Sequence, residues 1–253
     1  MKAIILAAGI GSRIRPLTED RPKCLLEIDE ISLLQRMIFH IRECGVDDIL
    51  IVVGYLQNQI RDHVRTTHPD IDVQYVINDR YQVTNAGYSL MLALEAIDDD
   101  TIIKFDADVA FERDILTRLI ECDDGNYLCL DRDIKLDEEE IKVIVENGDR
   151  VVKASKTVDP RQAVGESIGI EKLDRDTVRK LRRELQLMMK SSRHHQDYYE
   201  AAYERLIAKS VPFYTLDITG LKWTEIDTTT DLRAAERQFG QIPGPDYTLK
   251  DSA

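Results

Sequence analysis

The 253-residue sequence has no run approaching the roughly 18 apolar residues of a membrane span, so no membrane partner is expected. It has no Cys-x-x-Cys pair. Cys24, Cys44, Cys122 and Cys129 are scattered, which predicts reduced thiols in a cytoplasmic protein, with Cys44 and Cys129 in the core. Met1-Lys2 leads straight into a strand-like segment without a signal-peptide pattern. Basic residues are in deficit: 34 Lys and Arg stand against 47 Asp and Glu, a formal net charge of -13. A nucleic-acid partner would want a basic face, so none is expected. No internal repeat or low-complexity linker divides the chain, and one domain over 1–253 is the simplest organisation. A P-loop (G-x-x-x-x-G-K-[ST]) is absent, and so is a nucleophile elbow. His194-His195 has no H-x-x-x-H or Cys companion to make a metal site. Trp223 is the only tryptophan.

What is present is an alternation of strand and helix signals. Ala3–Leu6, Ile49–Val53, Val73–Ile77 and Thr101–Phe105 read as buried strands. Between them lie helical patterns: Leu33 to Ile41 with Gly45 as a stop, Gln57–Arg65, and Asn85–Ile97. The expected fold is α/β, a Rossmann-like mixed and mostly parallel sheet flanked by helices on both faces. Ligands of such sheets bind at the carboxyl ends of the strands. The second half predicts a hairpin, Ile141–Glu146 and Arg150–Ala154 about an Asn147-Gly148 turn. Then come a strand at Ser167–Glu171, helices Asp174–Lys190 and Gln196–Lys209, strands Val211–Asp217 and Trp223–Ile226, and a helix Asp231–Phe239. The charged run Asp137–Glu140 reads as solvated surface.

The loop after the first strand gathers Arg13, Arg15, Arg21 and Lys23 beside Gly9 and Gly11, against the acidic balance of the whole. A strongly negative ligand is expected there. A dinucleotide fingerprint fails, because Ile14 replaces its third glycine and Pro16 and Pro22 delay any helix. Ala7, Ala8, Gly9 and Gly11 are small enough for backbone N–H groups to approach phosphate oxygens. Arg13 offers a planar fork to such oxygens, and Lys23, directed by Pro22, a point charge. Asp106 and Asp108 lie two apart at the end of a strand, so both carboxylates can share a side.

The string from Leu6 to Ile28, L-A-A-G-x-G-x-R-x-x-P-x-T-x-x-x-P-K-x-L-x-x-I, resembles the signature of nucleotidyltransferases that activate sugar phosphates and small phospho-alcohols. The resemblance implies a divalent metal, taken as Mg2+, on Asp108 and on Asp227 of WTEIDTTTDL, although Asp227 also suits a helix cap. It implies a nucleotide site made by Leu6, Ala7, Ala8, Gly9, Gly11, Asn85, Ala86, Ser89 and Asp106. Asn85 would read the base edge there, though it also suits a helix cap. Arg13 and Lys23 are the implied catalytic residues. Lys156, with Lys153 as rival, and Glu166 match the segment touching the acceptor's phosphoryl group.

NDRY-x-x-x-NAGYSL, DAD and WTEID look most like the cytidylyltransferases of phosphocholine, aminoethylphosphonate and related acceptors. The expected partners are CTP and a small phospho- or phosphono-acceptor, with self-association left open. Tyr199 and Glu200, with Asp197, Tyr198, Tyr203 and Trp223, could stabilise an ammonium group on the acceptor. The competing reading of that segment is a helix burying Tyr199, Ala202, Tyr203 and Leu206. Residues 1–110 are then the nucleotide-binding part, 111–240 the acceptor-binding part and 241–253 a loose tail. A sugar-1-phosphate uridylyl- or thymidylyltransferase, or a catalytically silent nucleotide-binding regulatory subunit, are the alternatives.

Overall fold

Apolar residues on both faces of the first strand dictate where it must lie. In β1 (Lys2–Ala7), Ala3 and Ile5 pack to one side and Ile4 to the other, and all three are buried. Such a strand is stable only between two layers. The computed structural model, which describes residues 1–240, has that arrangement. After β1, a small hairpin of β2 (Glu27–Ile28) and β3 (Ile31–Ser32) leads into α1 (Leu33–Glu43). Then follow β4 (Ile49–Val53), α2 (Gln57–Thr67), β5 (Val73–Ile77), α3 (Ala86–Glu95), β6 (Ile102–Asp106), β7 (Val109–Phe111), α4 (Arg113–Glu121) and β8 (Tyr127–Asp131). The chain continues through β9 (Lys142–Glu146), β10 (Arg150–Ser155), β11 (Gly165–Leu173), α5 (Arg175–Met189), α6 (Glu200–Ala208), β12 (Tyr214–Asp217), β13 (Trp223–Glu225) and α7 (Thr229–Phe239).

The main sheet is mixed, in the order β5-β4-β1-β6-β11-β8-β12-β10-β9. Its parallel character resides in β5-β4-β1-β6 and in the β8–β12 pair, whereas β11 runs antiparallel to β6, β8 and β9. Leu34, Ile38, Ile60, Ile115 and Leu119 from α1, α2 and α4 cover one face with Ile5 and Ile51. Leu90, Leu94, Leu181, Leu185 and Tyr203 from α3, α5 and α6 cover the other with Ile4 and Leu50.

Several boundaries differ from expectation, each for a local reason. The helix expected from Gln196 starts at Glu200, after a 3-10 turn at Ser192–His194. The strand expected from Val211 starts at Tyr214, since Pro212 has no N–H for the ladder. The last helix begins at Thr229 because Thr228 caps it. Helix α4 and strand β8 fall where the sequence reading assigned no element. Cys129 is buried as expected, but Cys44 is only half-buried at the end of α1, and Cys24 takes a core place instead. The expected loose tail, 241–253, lies outside the described residues.

Candidate active site

Register places the chemistry. Parallel pairing of β1 with β6 sets Leu6 opposite Asp106, so the opening loop and the segment Asp106–Asp108 leave the sheet side by side. Antiparallel pairing of β13 with β7 sets Glu225 opposite Val109, and the Ile226 N–H donates to the Asp108 carbonyl at 3.0 Å. That small second sheet carries Asp227 from the far end of the sequence to Asp108.

The loop has two anchors. Ile14 is buried within a 3-10 turn, Ser12–Ile14, which leaves Arg13 outside. Cys24 and Leu25 are buried within another, Lys23–Leu25, which turns Lys23 toward the cleft. Gly11 has φ +66°, and a Cβ there would lie 3.0 Å from the Lys23 Cβ. The Thr18 hydroxyl donates to the Gly11 carbonyl at 2.7 Å. Gly11 is therefore required by the loop's own packing. A Cβ at Gly9 would meet no protein atom within 4 Å.

Lys23 Nζ lies 2.7 Å from Asp108 Oδ2 and 2.5 Å from Asp227 Oδ1. Arg13 reaches Asp227 Oδ2 at 2.6 Å and Glu139 Oε2 at 3.2 Å. Burial of the Lys23 ammonium opposes its charge, but Asp108 and Asp227 outweigh that and hold its pKa above the ordinary value. Glu225 joins this group: Asp108, Glu225 and Asp227 each offer an oxygen within 4.8 Å of the others. Burial, then the charges of Asp108 and Asp227, push the Glu225 carboxyl up to about 9. Three hard oxygen donors this close together fit a divalent cation such as Mg2+. The capping role open to Asp227 falls to Thr228 and Asp231, which form a capping box, so the Asp227 carboxylate is left to the cations.

Most of the site residues read from the sequence line one cleft of about 320 Å³: Leu6, Ala7, Ala8, Gly9, Gly11, Arg13, Lys23, Asn85, Ala86, Ser89, Asp106, Asp108, Lys156, Glu166, Tyr199, Glu200 and Asp227. Of the four basic residues of the loop, only Arg13 and Lys23 do so; Arg21 turns away, 3.7 Å from Glu27. Lys156 lines it and Lys153 does not. Asn85 caps α3: its Oδ1 accepts from Ala86 N at 2.8 Å and its Nδ2 donates to the Gln196 carbonyl at 3.3 Å. Its amide is thus engaged at the helix start.

Tyr199, Ala202, Tyr203 and Leu206 are buried, as in the competing reading of that helix. Even so, the Tyr199 hydroxyl donates to Asp106 Oδ2 at 2.5 Å and also meets Lys104 Nζ. Trp223 lies outside the cleft, its Nε1 donating to Asp131 at 2.7 Å. Asp197 is paired with His194 at 2.6 Å.

Sequence reasoning missed three features. Glu139 is no mere solvated charge: it bridges Arg13 and Lys156 across the cleft. Glu225 stands two residues before Asp227 on a strand, and the alternation argument used for Asp106 and Asp108 would have found it. Lys104 is wholly buried, 2.7 Å from Glu171 and 3.1 Å from Asp106. No local pattern announces that pair, because β6 and β11 meet only through the sheet.

Cations set against clustered carboxylates, at the mouth of parallel strands and beside an open glycine, suit a protein that binds a phosphorylated ligand together with a divalent cation. Comparison with known proteins narrows the class. A family model described as a MobA-like NTP transferase domain matches residues 3–138, and the chain belongs to that family. It is similar to a choline-phosphate cytidylyltransferase of Streptococcus pneumoniae, 42% identical over 106 residues, which cover 42% of this chain and 44% of that one. It is also similar to a CMP-5'-(3-aminopropyl)phosphonate synthase of Streptomyces rubellomurinus, 27% identical over 248 residues, covering 94% of this chain and 39% of that one. The chain spans about half the length, or less, of the curated relatives it matches most strongly. The solved structure of a CTP:phosphocholine cytidylyltransferase from Streptococcus pneumoniae superposes with a TM-score of 0.76 at 28% identity, covering 93% of this chain and 97% of that one. An inositol-1-phosphate CTP transferase from T. maritima, at TM-score 0.77 and 23% identity, covers 93% of each and shares the fold. Among the described residues, no helix is long and apolar enough to cross a membrane.

Proposed function

We propose that the chain is a Mg2+-dependent cytidylyltransferase that moves CMP from CTP to a small acceptor bearing a phosphate or phosphonate. The observation that supports this most is the meeting of Lys23 and Arg13 with Asp108, Glu225 and Asp227 in one cleft. The cytidylyltransferases among the relatives carry the reading to CTP and to acceptors of the phosphocholine or aminoalkylphosphonate kind.

In this reading residues 1–110 hold the nucleotide and 111–240 the acceptor. Backbone N–H groups from Leu6 to Gly11 receive the phosphates, with Gly9 leaving them room. Ala86, Ser89 and Asp106 line the nucleoside end, and Asn85 fixes that wall through its cap. Lys156, Glu166, Tyr199 and Glu200 face the acceptor. An acceptor oxygen forms a bond to the α-phosphorus while the bond to the bridging β-oxygen breaks, and pyrophosphate departs. The attacking oxygen is already ionised near pH 7, the second phosphate pKa being about 6, so no general base is needed. Asp108, Glu225 and Asp227 would hold Mg2+, which supplies charge neutralisation to the phosphoryl oxygens. Lys23 and Arg13, now paired with these carboxylates, swing to the phosphates, align them and neutralise the charge that develops.

Pyrophosphate release measured with each of the four nucleoside triphosphates and a panel of acceptors tests the reading. Turnover is expected with CTP and a small phospho- or phosphono-acceptor. Turnover with UTP and glucose 1-phosphate, and none with CTP, would overturn it. So would full activity in both Lys23→Ala and Asp108→Ala.

A further inference from the structure

The acidic run Asp137–Glu140 is held in shape by its own hydrogen bonds and by a buried cation. The Lys142 side chain is buried, and its ammonium donates to the carbonyls of Asp137 and Glu140 at 2.6 and 3.1 Å. The Glu139 N–H donates to Asp137 Oδ1 at 2.8 Å, and the Asp137 N–H to Glu140 Oε2 at 2.6 Å. These bonds close the run into a bend, from which Glu139 lines the cleft. The sheet supplies its partner. Antiparallel pairing of β9 with β10 sets Lys142 opposite Ser155, so Lys156, one residue on, emerges beside the bend.

One oxygen then serves two cations. Glu139 Oε2 lies 3.2 Å from Arg13 Nη1 and 3.3 Å from Lys156 Nζ. Arg13 belongs to the loop that receives the nucleotide phosphates in the reading above, and Lys156 to the acceptor side. Two cations within reach of a single oxygen repel each other unless an anion stands between them. Glu139 stands where the negative charge of the ligands has to arrive. Its side chain is 71% exposed, so the bridge is weak enough to be exchanged for a phosphoryl group. When a triphosphate takes Arg13, Glu139 loses one of its two cations and is repelled by the phosphates, and its hold on Lys156 falls. When an acceptor phosphoryl group takes Lys156, the same happens at Arg13.

We infer that Glu139 couples the two binding steps: it ties Arg13 to Lys156 until one substrate displaces it, and that displacement frees the cation which the other substrate needs. Such coupling is reciprocal, so each ligand tightens the other by the same factor. Glu139 acts here as a positioning residue, through the two cations and not on the reacting atoms. The inference rests on the cytidylyltransferase reading above.

Isothermal titration tests this, with Mg2+ and a CTP analogue whose α–β bridge is a methylene, so that no pyrophosphate can leave. The acceptor probes are 2-aminoethylphosphonate and phosphocholine. Saturating analogue should tighten the binding of an acceptor probe to the wild type about 5-fold, the scale of one exposed ion pair. In Glu139→Gln the probe should bind the protein alone about as tightly as it binds the wild-type analogue complex, and the analogue should add less than about 2-fold. Glu138→Gln, which removes the same charge from a neighbour outside the bridge, should keep the wild-type coupling. Equal acceptor affinity with and without the analogue in the wild type, or coupling that survives in Glu139→Gln, would overturn the inference while leaving the cytidylyltransferase reading intact. Coupling lost as fully in Glu138→Gln as in Glu139→Gln would do the same, since net charge and not the bridge would then be at work. A wild type that binds neither the analogue nor either probe would overturn both.

Discussion

Gly9 and Gly11 stand two residues apart and answer to different constraints. Gly11 has a positive φ and packs on Lys23, so a side chain there strains the loop itself. At Gly9 a Cβ meets only open space, and the residue has no left-handed backbone to defend. Gly9→Ala should therefore leave the thermal unfolding midpoint in place while weakening Mg2+–CTP binding at least about 10-fold, read by isothermal titration. Equal binding by the variant would remove Gly9 from the phosphate site.

Glu166 supplies a second prediction at this scale. Its folded pKa of about 8 lies above the ordinary carboxyl value, so between pH 4.5 and 8 the folded chain holds a proton that the unfolded chain has lost. Stability from this group is complete below about pH 4.5 and drains away as pH rises to 8. Glu166→Gln removes that loss. Urea unfolding at pH 5 and pH 9 should show the variant gaining on the wild type by roughly 2–4 kcal/mol across the interval. A constant difference would contradict the shift.

Among the elements, α7 bears on the site through Thr228, the residue that caps it. The Thr228 hydroxyl accepts from Asp231 N at 3.3 Å, and Asp231 Oδ2 accepts from Thr228 N at 2.7 Å and Asp227 N at 3.1 Å. This capping box fixes the direction of the chain one residue after Asp227. Thr228→Ala should cost about 1 kcal/mol of stability in denaturant unfolding and, unlike an ordinary cap loss, also lower kcat. On the opposite face, Arg182 of α5 closes the carboxyl end of α3. It donates to the Ile97 carbonyl at 2.9 Å and pairs with Asp99 at 2.7 Å, and its Nε bonds the Leu94 carbonyl. Arg182→Ala should destabilise by about 1–3 kcal/mol through those stranded carbonyls.

At the scale of the whole molecule, the site is assembled from segments that meet only on folding: the loop after β1, the end of β6 and the turn after β13. A ligand that bridges all three stabilises the assembly by mass action. CTP with Mg2+ at about 100 times its dissociation constant should add about 2.7 kcal/mol, a rise of roughly 5–10 °C in melting temperature. CTP without divalent metal should give a much smaller rise, because Asp108 and Asp227 then repel the phosphates. An equal rise without metal would contradict the three-carboxylate site.

What the sequence determined by itself is local. Periodicity and turn chemistry placed most strands and helices, since a strand buried on both faces must be apolar throughout and a helix stop wants glycine. The opening loop was legible because its small residues, prolines and cations lie within one short string and need no partner to be recognised. The tertiary structure alone decided the rest: that Glu139 bridges Arg13 and Lys156, that Glu225 completes the carboxylate group, that Lys104 is buried against Glu171, and that Asn85 spends its amide on a cap. The physical reason is that an isolated charge is solvated and indifferent to residues a hundred positions away. Only the pairing of β1 with β6, β7 with β13 and β6 with β11 removes the water and makes their mutual attraction count.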